Sequence, residues 1–329
     1  MGRAAHSEPV ELTLERHRTE LTGYCYRMLG SAFDAEDAVQ ETFLRAWRGY
    51  DGFEGRSAVR SWLYRIASNV CFDALSAGSR RARPMDLTSA GTADGHLNPP
   101  LPESTWILPV PDGRVLASAG DPAEMAEARE SIRLAFVAAL QHLPPRQRAV
   151  LILREVLRWD AREVAELLDT TVASVNSALQ RARATLSAVR LTEEDAAPEP
   201  EDEEDRALLE RYVDAFERYD IEALTALIHE DATQSMPPYD LWLRGRDEIF
   251  RWWVGPGAGC SGSRLVATAA NGSPAFGQYR PSGPDGAHEP WALQIVEISG
   301  GRIVELSFFL DTPSLFPLFE LPYDPPPPS

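Results

Sequence analysis

Residues 172–187, VASVNSALQRARATLS, carry hydroxyl, amide and guanidinium side chains and contain no acidic residue. Arg, Asn and Gln can hydrogen-bond base edges in the major groove of DNA, and small hydroxyl side chains fit beside them. If the stretch is a helix, its outward side chains are Ser174, Asn176, Ser177, Gln180, Arg181 and Arg183. The pattern alone leaves two interpretations open, a DNA-recognition helix and the polar face of an ordinary helical hairpin.

The residues before this stretch have the spacing of a helix-turn-helix. Asp160 and Glu163 form a D-x-x-E capping pattern, which predicts a helix over AREVAELL. Residues 169–171, Asp-Thr-Thr, then make a short turn into the second helix. Upstream, Asp121 followed by Pro122 is a helix-start signal. These signals predict a small helical domain that presents the quoted stretch.

Two amphipathic helices are predicted nearer the N-terminus. In SAFDAEDAVQETFLRAWRGY, the spacing predicts a buried stripe of Ala35, Ala38, Val39, Thr42, Phe43, Ala46 and Trp47. The opposite face carries Asp37, Gln40, Glu41, Leu44 and Arg48. A second helix, VRSWLYRIASNVCFDAL, leaves Arg60, Arg65 and Asn69 outside. Taken alone, both patterns are also typical of any well-capped helical bundle.

The charges of the chain are unevenly distributed. The formal net charge is −18, and residues 193–205 contain nine acidic residues and no basic one. Residues 133–190, in contrast, contain nine Arg and five acidic residues. Because counterion release depends on local charge, the overall acidity does not exclude nucleic-acid binding by this second segment.

Composition also limits the location and the cofactors that we expect. No apolar run approaches the roughly eighteen residues that span a bilayer, and the first residues lack the apolar core of a signal peptide. A cytoplasmic protein without membrane contact is therefore expected. Cys25, Cys71 and Cys260 lie far apart and form no CxxC pair, so neither a disulfide framework nor a zinc site is indicated.

The C-terminal third changes from helical to strand-like periodicity. Two helical segments precede the strand-like segments RLVATAA, AFGQY, WALQIVEIS and RIVELSFFL. Asn271-Gly272 and Gly300-Gly301 are good hairpin turns between them. This order predicts an α+β domain with helices laid over a curved antiparallel sheet.

Composition breaks divide the chain into several segments. A Pro- and Gly-rich stretch and the acidic run have the character of linkers, and the end of the chain, YDPPPPS, is Pro-rich. The predicted segments are a helical domain at 10–84, a linker at 85–121, a helix-turn-helix domain at 122–190, an acidic linker at 191–205, an α+β domain at 206–315 and a tail at 316–329.

The two helical domains together resemble the extracytoplasmic-function (ECF) group of bacterial sigma-70-type RNA polymerase sigma factors. DAEDAVQETFLRAW matches region 2.2 of the family, and RSWLYRIASNVCFDAL matches regions 2.3 to 2.4. LPPRQRAVLILREVLRWDAREVAELLDTTVASVNSALQRARATL matches regions 4.1 to 4.2. The motifs cover roughly 130 residues in the order of the family, and their combination is highly specific.

The resemblance implies partners and site residues. Asp37, Gln40 and Glu41 would dock on the β′ clamp helices of core RNA polymerase, which the family contacts together with the β subunit. The minus-10 promoter strand would be contacted by Arg56, Ser57, Arg60, Arg65 and Asn69. The minus-35 duplex would be read by Thr171, Ser174, Asn176, Ser177, Gln180, Arg181 and Arg183. Asn176-Ser177 replaces a basic pair found in many relatives, which predicts weaker independent DNA binding.

A third domain adds a further resemblance. Trp106, Pro109 and Pro111 are similar to a W-x-x-P-x-P element of sigma factors that carry a C-terminal SnoaL-like domain of the NTF2-like fold. That fold implies a cone with a pocket and a possible small-molecule ligand. The polar candidates for the pocket are His229, Asp231, Gln294 and Asp311. Each could instead cap a helix or end a strand.

The combined prediction is a multidomain initiation factor with two all-α sigma domains, a region 2 helical bundle and a region 4 helix-turn-helix, and a C-terminal α+β NTF2-like cone. It would be no enzyme and would need no metal or organic cofactor, and its third domain would regulate the other two. Two alternatives remain open from the sequence. One is a helix-turn-helix regulator without sigma activity, and the other is SnoaL-like isomerase or cyclase activity in the C-terminal domain.

Overall fold

A computed structural model describes most of the chain as two compact units. The described residues are 10–50, 58–78, 80–117, 120–190 and 203–325. The N-terminal unit combines the described parts of Met1–Arg81 and Ile107–Glu194, and the C-terminal unit combines those of Ala82–Trp106 and Asp195–Ser329. The linker expected at 85–121 is therefore divided between the two units. Most of the acidic linker, residues 191–202, lies outside the described residues.

Fifteen α-helices and six strands are present in the described residues. The helices are α1 (Val10–Glu15), α2 (Arg18–Leu29), α3 (Ala32–Gly49), α4 (Val59–Ala77), α5 (Pro84–Leu87), α6 (Asp112–Val115), α7 (Pro122–Glu130), α8 (Leu134–Gln141), α9 (Pro145–Leu151), α10 (Ala161–Leu167), α11 (Val172–Arg190), α12 (Glu203–Glu217), α13 (Ile221–Leu227), α14 (Arg246–Val254) and α15 (Thr312–Leu318). The strands are β1 (Ile228–Ser235), β2 (Trp242–Arg244), β3 (Arg264–Ala270), β4 (Ser273–Arg280), β5 (Glu289–Ser299) and β6 (Arg302–Phe309).

The N-terminal unit is built around α2, which packs against α3 and α4. Gly30 ends α2 with φ of 74°, a left-handed conformation that glycine adopts at little cost. Ser31 then caps α3, and its Oγ accepts a hydrogen bond from the Asp34 backbone N–H at 3.2 Å. The two caps allow a sharp reversal, so that the apolar stripes of both helices face each other.

Two buried arginines connect α2 to the later helices of the same unit. The Arg27 guanidinium donates to Ser131 Oγ at 2.6 Å, and Arg148 donates to Gln141 Oε1 at 2.6 Å and to the Met28 carbonyl. Burial lowers the pKa of Arg27 and of Arg148 to about 10, so both remain charged at neutral pH. A buried charge of this kind is tolerated because several oxygen atoms solvate it.

The helix-turn-helix predicted at the end of this unit is present. Asp160 and Glu163 form the predicted capping box at the start of α10, with a 2.8 Å bond from the Arg162 N–H and a 2.9 Å bond to Glu163. Asp169 in the turn has φ of 50°. The core face of α11 consists of Val175, Ala178, Leu179, Ala182 and Leu186, all buried as the spacing predicts.

The C-terminal unit contains one six-stranded sheet in the order β2-β1-β6-β5-β4-β3. The predicted turns at Asn271-Gly272 and Gly300-Gly301 are present, with all four residues at positive φ. The expectation of a purely antiparallel sheet is wrong, because β1 pairs with β6 in parallel. Strand β1 was not predicted, since its exposed run His229, Glu230, Asp231 breaks the alternation on which strand prediction depends.

The buried face of this sheet forms the core with α12, α13 and α14. The domain also extends past its predicted end at residue 315. Phe316 of α15 is buried and its ring lies 5.2 Å from that of Tyr279, whose hydroxyl donates to the Pro322 carbonyl at 2.6 Å. The first residues of the predicted Pro-rich tail are therefore part of the packed domain, while residues 326–329 lie outside the described residues.

Part of the expected linker also packs on the C-terminal unit. We call residues 82–106 the connector. The Gly91 N–H donates to the Trp242 carbonyl at 2.8 Å, and Trp242 Nε1 donates to the Thr88 carbonyl at 2.9 Å. Asn98 Nδ2 binds the Asp240 carboxylate at 3.1 Å, and the Leu101 N–H binds the Pro238 carbonyl at 2.9 Å. The connector thus follows β2 and the turn before it, because edge-strand backbone groups are free to pair.

Candidate polymerase-binding and nucleic-acid interfaces

The exposed face of α3 carries all three residues predicted to bind polymerase. Asp37 and Gln40 are exposed, and Glu41 is half-buried and forms a 2.7 Å ion pair with Arg45. Leu44 lies between them on the same face and is 49% exposed. We call these residues, with Trp47, the α3 face. It combines carboxylates with uncovered apolar surface, a composition suited to protein binding.

Trp47 corrects the sequence prediction, which placed it in the buried stripe. Its side chain is 59% exposed. At roughly 100° per residue, the helix turns Trp47 about 120° away from Ala35, at the centre of the stripe, and within about 20° of Gln40. Steps of three and four residues only approximate the helical period, so the predicted buried face drifts around a long helix. For this reason the spacing placed Trp47 in the buried stripe.

The predicted minus-10 residues are found in different environments. Arg56 and Ser57 lie outside the described residues. Arg60 forms a 2.7 Å ion pair with Glu20, and its guanidinium lies over the rings of Trp159 at 5.0 Å and Tyr64 at 5.4 Å. Trp159 precedes α10 of the helix-turn-helix. The two sigma-like domains therefore meet at Arg60.

Arg65 makes a second contact between these domains. Its Nη2 donates to the Glu166 carbonyl of α10 at 3.0 Å, whereas Asn69, one turn further along α4, is exposed. Both arginines thus use their donors within the protein in this conformation. Sequence reasoning missed Trp159 as the partner of Arg60, because Trp159 lies 99 residues away and neither position carries a local signal for the other.

The predicted minus-35 residues lie together along α11. Ser174, Asn176, Gln180, Arg181 and Arg183 are exposed, as is Thr171 at the start of the helix, and Ser177 is half-buried. Thr171 Oγ1 caps α11 by accepting the Ser174 N–H at 3.2 Å. Arg181 donates to Ser177 Oγ at 2.6 Å, and Arg183 forms a 2.7 Å ion pair with Glu155. Both contacts are at the surface, where exchange for a phosphate or base costs little.

Of the four candidates for a pocket in the C-terminal unit, His229 and Asp231 lie next to each other, and the Asp231 N–H donates to His229 Nδ1 at 3.2 Å. His229 and Asp231 are exposed on β1, and Asp311 is half-buried at the start of α15. Gln294 is fully buried, accepts from the Tyr212 hydroxyl at 2.8 Å and donates to Gln278 Oε1 at 2.9 Å. Buried polar groups need such partners. Gln294 is therefore part of an internal network of hydrogen bonds.

A cavity of about 420 Å³, including its opening to solvent, lies elsewhere in the same unit. Its lining contains none of the four candidates. Aromatic side chains dominate the wall, namely Phe216, Tyr219, Trp252, Trp253, Trp291 and Phe308. Gln234 and Cys260 are polar members of the lining. No local pattern in the sequence marks this site, because its residues come from separate helices and strands.

Two general features of the described residues bear on cofactors and membranes. No three His, Cys, Asp or Glu side chains are grouped so that they could hold a metal ion, within the ranges that the structure covers. None of the helices in the described part of the chain is both long enough and apolar enough to cross a bilayer.

Comparison with known proteins agrees with this architecture. Family models match at three places: "Sigma-70 region 2" at residues 13–81, "Sigma-70, region 4" at 133–186 and "SnoaL-like domain" at 209–306. They coincide with the helical bundle, the helix-turn-helix and the sheet domain described above. The order of the three matches is the order of the folded parts along the chain.

Individual relatives extend the similarity over nearly the whole chain. The ECF RNA polymerase sigma factor SigG of Mycobacterium tuberculosis is 44% identical over 321 residues, which is 97% of this chain and 84% of that protein. SigJ of the same organism is 30% identical over 248 residues, 73% of this chain and 71% of that protein. The crystal structure of M. tuberculosis SigJ has the same fold, with a TM-score of 0.60 at 24% identity, and the match covers 95% of this chain and 100% of that chain. The chain belongs to the family of extracytoplasmic-function RNA polymerase sigma factors that carry a C-terminal SnoaL-like domain.

Proposed function

We propose that this protein is a sigma factor, which binds core RNA polymerase and directs promoter-specific initiation of transcription in the cytoplasm. The observation that carries the proposal is that one helical unit presents both the α3 face and the polar face of α11. A DNA-binding regulator would need the second face alone. The carboxylates of α3 and the exposed apolar side chains beside them support the binding of a protein partner there.

The α3 face is the proposed contact with the β′ clamp helices. Asp37 and Gln40 are free to reach a partner, and Glu41 can exchange its surface pair with Arg45 for a basic residue of polymerase. Leu44 supplies apolar area beside these polar groups. Interfaces of this type combine a desolvated apolar centre with a polar rim.

Promoter recognition is assigned to two helices. The exposed side chains of α11 would enter the major groove at the minus-35 element, with Asn176, Gln180 and Arg181 reaching base edges. Arg60, Arg65 and Asn69 of α4, together with Arg56 and Ser57 before it, would contact the minus-10 strand. Arg60 and Arg65 must first leave Trp159 and the Glu166 carbonyl. Separation of region 4 from region 2 is therefore required before DNA binding.

The C-terminal domain is proposed to regulate this activity through the connector. The edge of its sheet and the turn before β2 hold four backbone or side-chain groups of the connector, which is part of the segment between region 2 and region 4. A held connector limits how far the two regions can separate on a promoter. No chemical step is assigned to the domain, because His229 and Asp231 lie at the surface and away from the cavity. The cavity is instead the proposed place for a small-molecule ligand.

The first test is run-off transcription with purified core polymerase on genomic promoter fragments. The full chain is expected to give transcripts from defined start sites. Asp37→Arg should reduce their yield because it reverses a charge on the α3 face. Glu124→Arg makes the same charge change on an exposed position of α7 and should leave the yield unchanged. Operator binding without polymerase, combined with no transcript, would favour the helix-turn-helix regulator instead.

The regulatory role needs a separate test in the same assay. Trp242→Phe combined with Asn98→Ala removes two connector bonds while retaining most of the packing. The expected result is a change in transcript yield of about fivefold, the size of a modest coupling energy, with unchanged start sites. Glu210→Ala, exposed on α12 of the same unit, is the control. Identical yields from all three proteins would contradict regulation through the connector.

A further inference from the structure

The cavity of the C-terminal unit is lined by one side-chain amide that uses its oxygen, but not its nitrogen, in a hydrogen bond to the protein. Gln234 of β1 lines the cavity and is only 3% exposed. Trp253 Nε1 lies 3.0 Å from its side-chain amide. Because an indole N–H only donates, the atom that it meets must be the amide oxygen. The orientation of the Gln234 amide is therefore fixed.

The amide nitrogen of Gln234 consequently carries two unused donors. It makes no hydrogen bond to any atom in the part of the chain that the structure describes. The nitrogen is not one of the fully buried side-chain atoms without a partner in the described residues, so it remains accessible from the cavity. An acceptor oxygen inside the cavity can therefore reach these donors and replace water on them.

The rest of the wall determines what kind of molecule brings that oxygen. Tyr219 is not a competing donor, because its hydroxyl already lies 2.8 Å from both the Trp253 and the Gly257 carbonyls. Burial raises the pKa of the Cys260 thiol, so this group stays neutral. The lining contains no Arg, Lys, Asp or Glu; Arg280 is not part of it, and its guanidinium lies over the Trp291 ring at 3.7 Å. A charged ligand would therefore lose its hydration without gaining a counter-ion from the lining itself.

Aromatic rings provide most of the remaining wall. Trp252, Trp253 and Trp291 line the cavity together with Phe216 and Phe308. Flat π faces and edges favour stacked or edge-to-face contact with another ring. An aliphatic chain would fill the same space but would not gain this geometry.

We propose that the cavity binds an uncharged aromatic compound whose carbonyl oxygen accepts a hydrogen bond from the amide nitrogen of Gln234. The inference specifies the small-molecule ligand that the proposed function assigns to this cavity. Only the regulatory role of the ligand rests on that proposed function. The binding itself depends on the described residues of this domain. The domain binds the compound without transforming it.

Three probes of nearly equal shape test the proposal on the full-length protein. Acetophenone carries the carbonyl, ethylbenzene lacks an acceptor, and benzoate carries a negative charge. Binding is measured by ligand-observed saturation-transfer NMR and by the shift of the Trp253 indole N–H cross-peak in labelled protein. Acetophenone should bind about five- to tenfold more tightly than ethylbenzene, the factor expected of one hydrogen bond. Benzoate should bind more weakly than acetophenone by at least the same factor.

Two variants locate the site. Gln234→Leu should make acetophenone and ethylbenzene bind equally, because only the first probe uses the amide. Leu310→Trp enlarges a lining residue and should weaken both probes at least tenfold. Thermal unfolding of each variant reports whether the domain is intact. If Gln234→Leu fails to fold, the wild-type comparison still decides, because the Trp253 cross-peak should shift more with acetophenone than with ethylbenzene.

Several outcomes would overturn the proposal. They are no binding of any probe, equal binding of acetophenone and ethylbenzene to the wild type, or tightest binding of benzoate. Undiminished binding to a folded Leu310→Trp protein would place the probes elsewhere and would equally reject it. Transcription is not a readout here, so a protein that initiates transcription but binds no probe rejects the ligand proposal alone. A protein that binds acetophenone but supports no transcription rejects the sigma-factor proposal alone.

Discussion

Trp47 offers a direct measure of whether the α3 face binds polymerase. The side chain is 59% exposed although it belongs to the helix that packs against α2 and α4. An aromatic side chain buries about 150–250 Å² when fully covered, so a partner could cover about 90–150 Å² of Trp47. At about 25 cal/mol per Å², that area contributes about 2–4 kcal/mol to binding. Trp47→Ala should therefore weaken binding by about 100-fold.

The assay is competition for purified core polymerase. Unlabelled wild-type or variant protein displaces a fluorescent wild-type protein at fixed salt, and the midpoint gives relative affinity. Tyr323→Ala makes a similar truncation at an aromatic residue that is 69% exposed in the C-terminal unit, and it should not change the midpoint. Trp47→Ala should change the free energy of unfolding by only about 0.5 kcal/mol, because the side chain is at the surface.

Wild-type affinity of a folded Trp47→Ala protein would refute the reasoning. It would mean that the apolar area of α3 stays in solvent when polymerase binds, and the assignment of Asp37 and Gln40 on the same face would lose its support. A large loss of stability would instead show that Trp47 has a structural role despite its exposure. The two results are separated by the unfolding measurement.

Three other predictions follow from the buried and exposed groups described above. Gln180→Ala with Arg181→Ala should weaken promoter binding by the polymerase complex by about 1–3 kcal/mol per base contact, measured by footprinting. The control, Arg211→Ala at an exposed position of α12, should not change promoter binding, and an equal loss from both proteins would indicate a general charge effect. Arg148→Met should lower the free energy of unfolding by about 2–4 kcal/mol in urea, since it leaves the Met28 and Gln141 oxygens unpaired; an unchanged midpoint would contradict this. Burial raises the pKa of the Cys260 thiol, so the folded state binds this proton more tightly than the unfolded chain. The rate of alkylation by iodoacetamide should therefore keep rising above about pH 9, where a free thiol has already ionised. Peptide mass spectrometry gives the rate at Cys260, and a plateau at lower pH would count against it.

Local signals were sufficient for the helix-turn-helix. Asp160 and Glu163 fix the start of α10 through bonds within one turn, and the spacing of Val175, Ala178 and Leu179 fixes the inward face of α11. The outward face follows from the same period, so the predicted minus-35 residues could be named from sequence. Their role remains a proposal, because exposure alone does not identify a ligand.

Strand prediction succeeded where turns were tight and failed where pairing was distant. The Asn271-Gly272 and Gly300-Gly301 turns fixed two antiparallel pairs, β3 with β4 and β5 with β6, from contacts close in sequence. The parallel pairing of β1 with β6 joins Thr233 to Glu305, and no turn links the two. Two parallel strands must be joined by a long crossover connection. Whether that connection brings the strands together depends on the packing of the whole domain.

The sequence by itself determined the family, the order of the three folded parts and the inward and outward faces of the short helices. Caps, turns and the helical period act over a few residues, so a short stretch of sequence is enough to reveal them. The tertiary structure alone decided that Trp47 is exposed, that Arg60 lies against Trp159, and that Gln234 rather than His229 or Asp231 belongs to the cavity. These outcomes depend on which distant surfaces pack together, since burial and hydrogen-bond satisfaction are properties of the assembled core and not of any single segment.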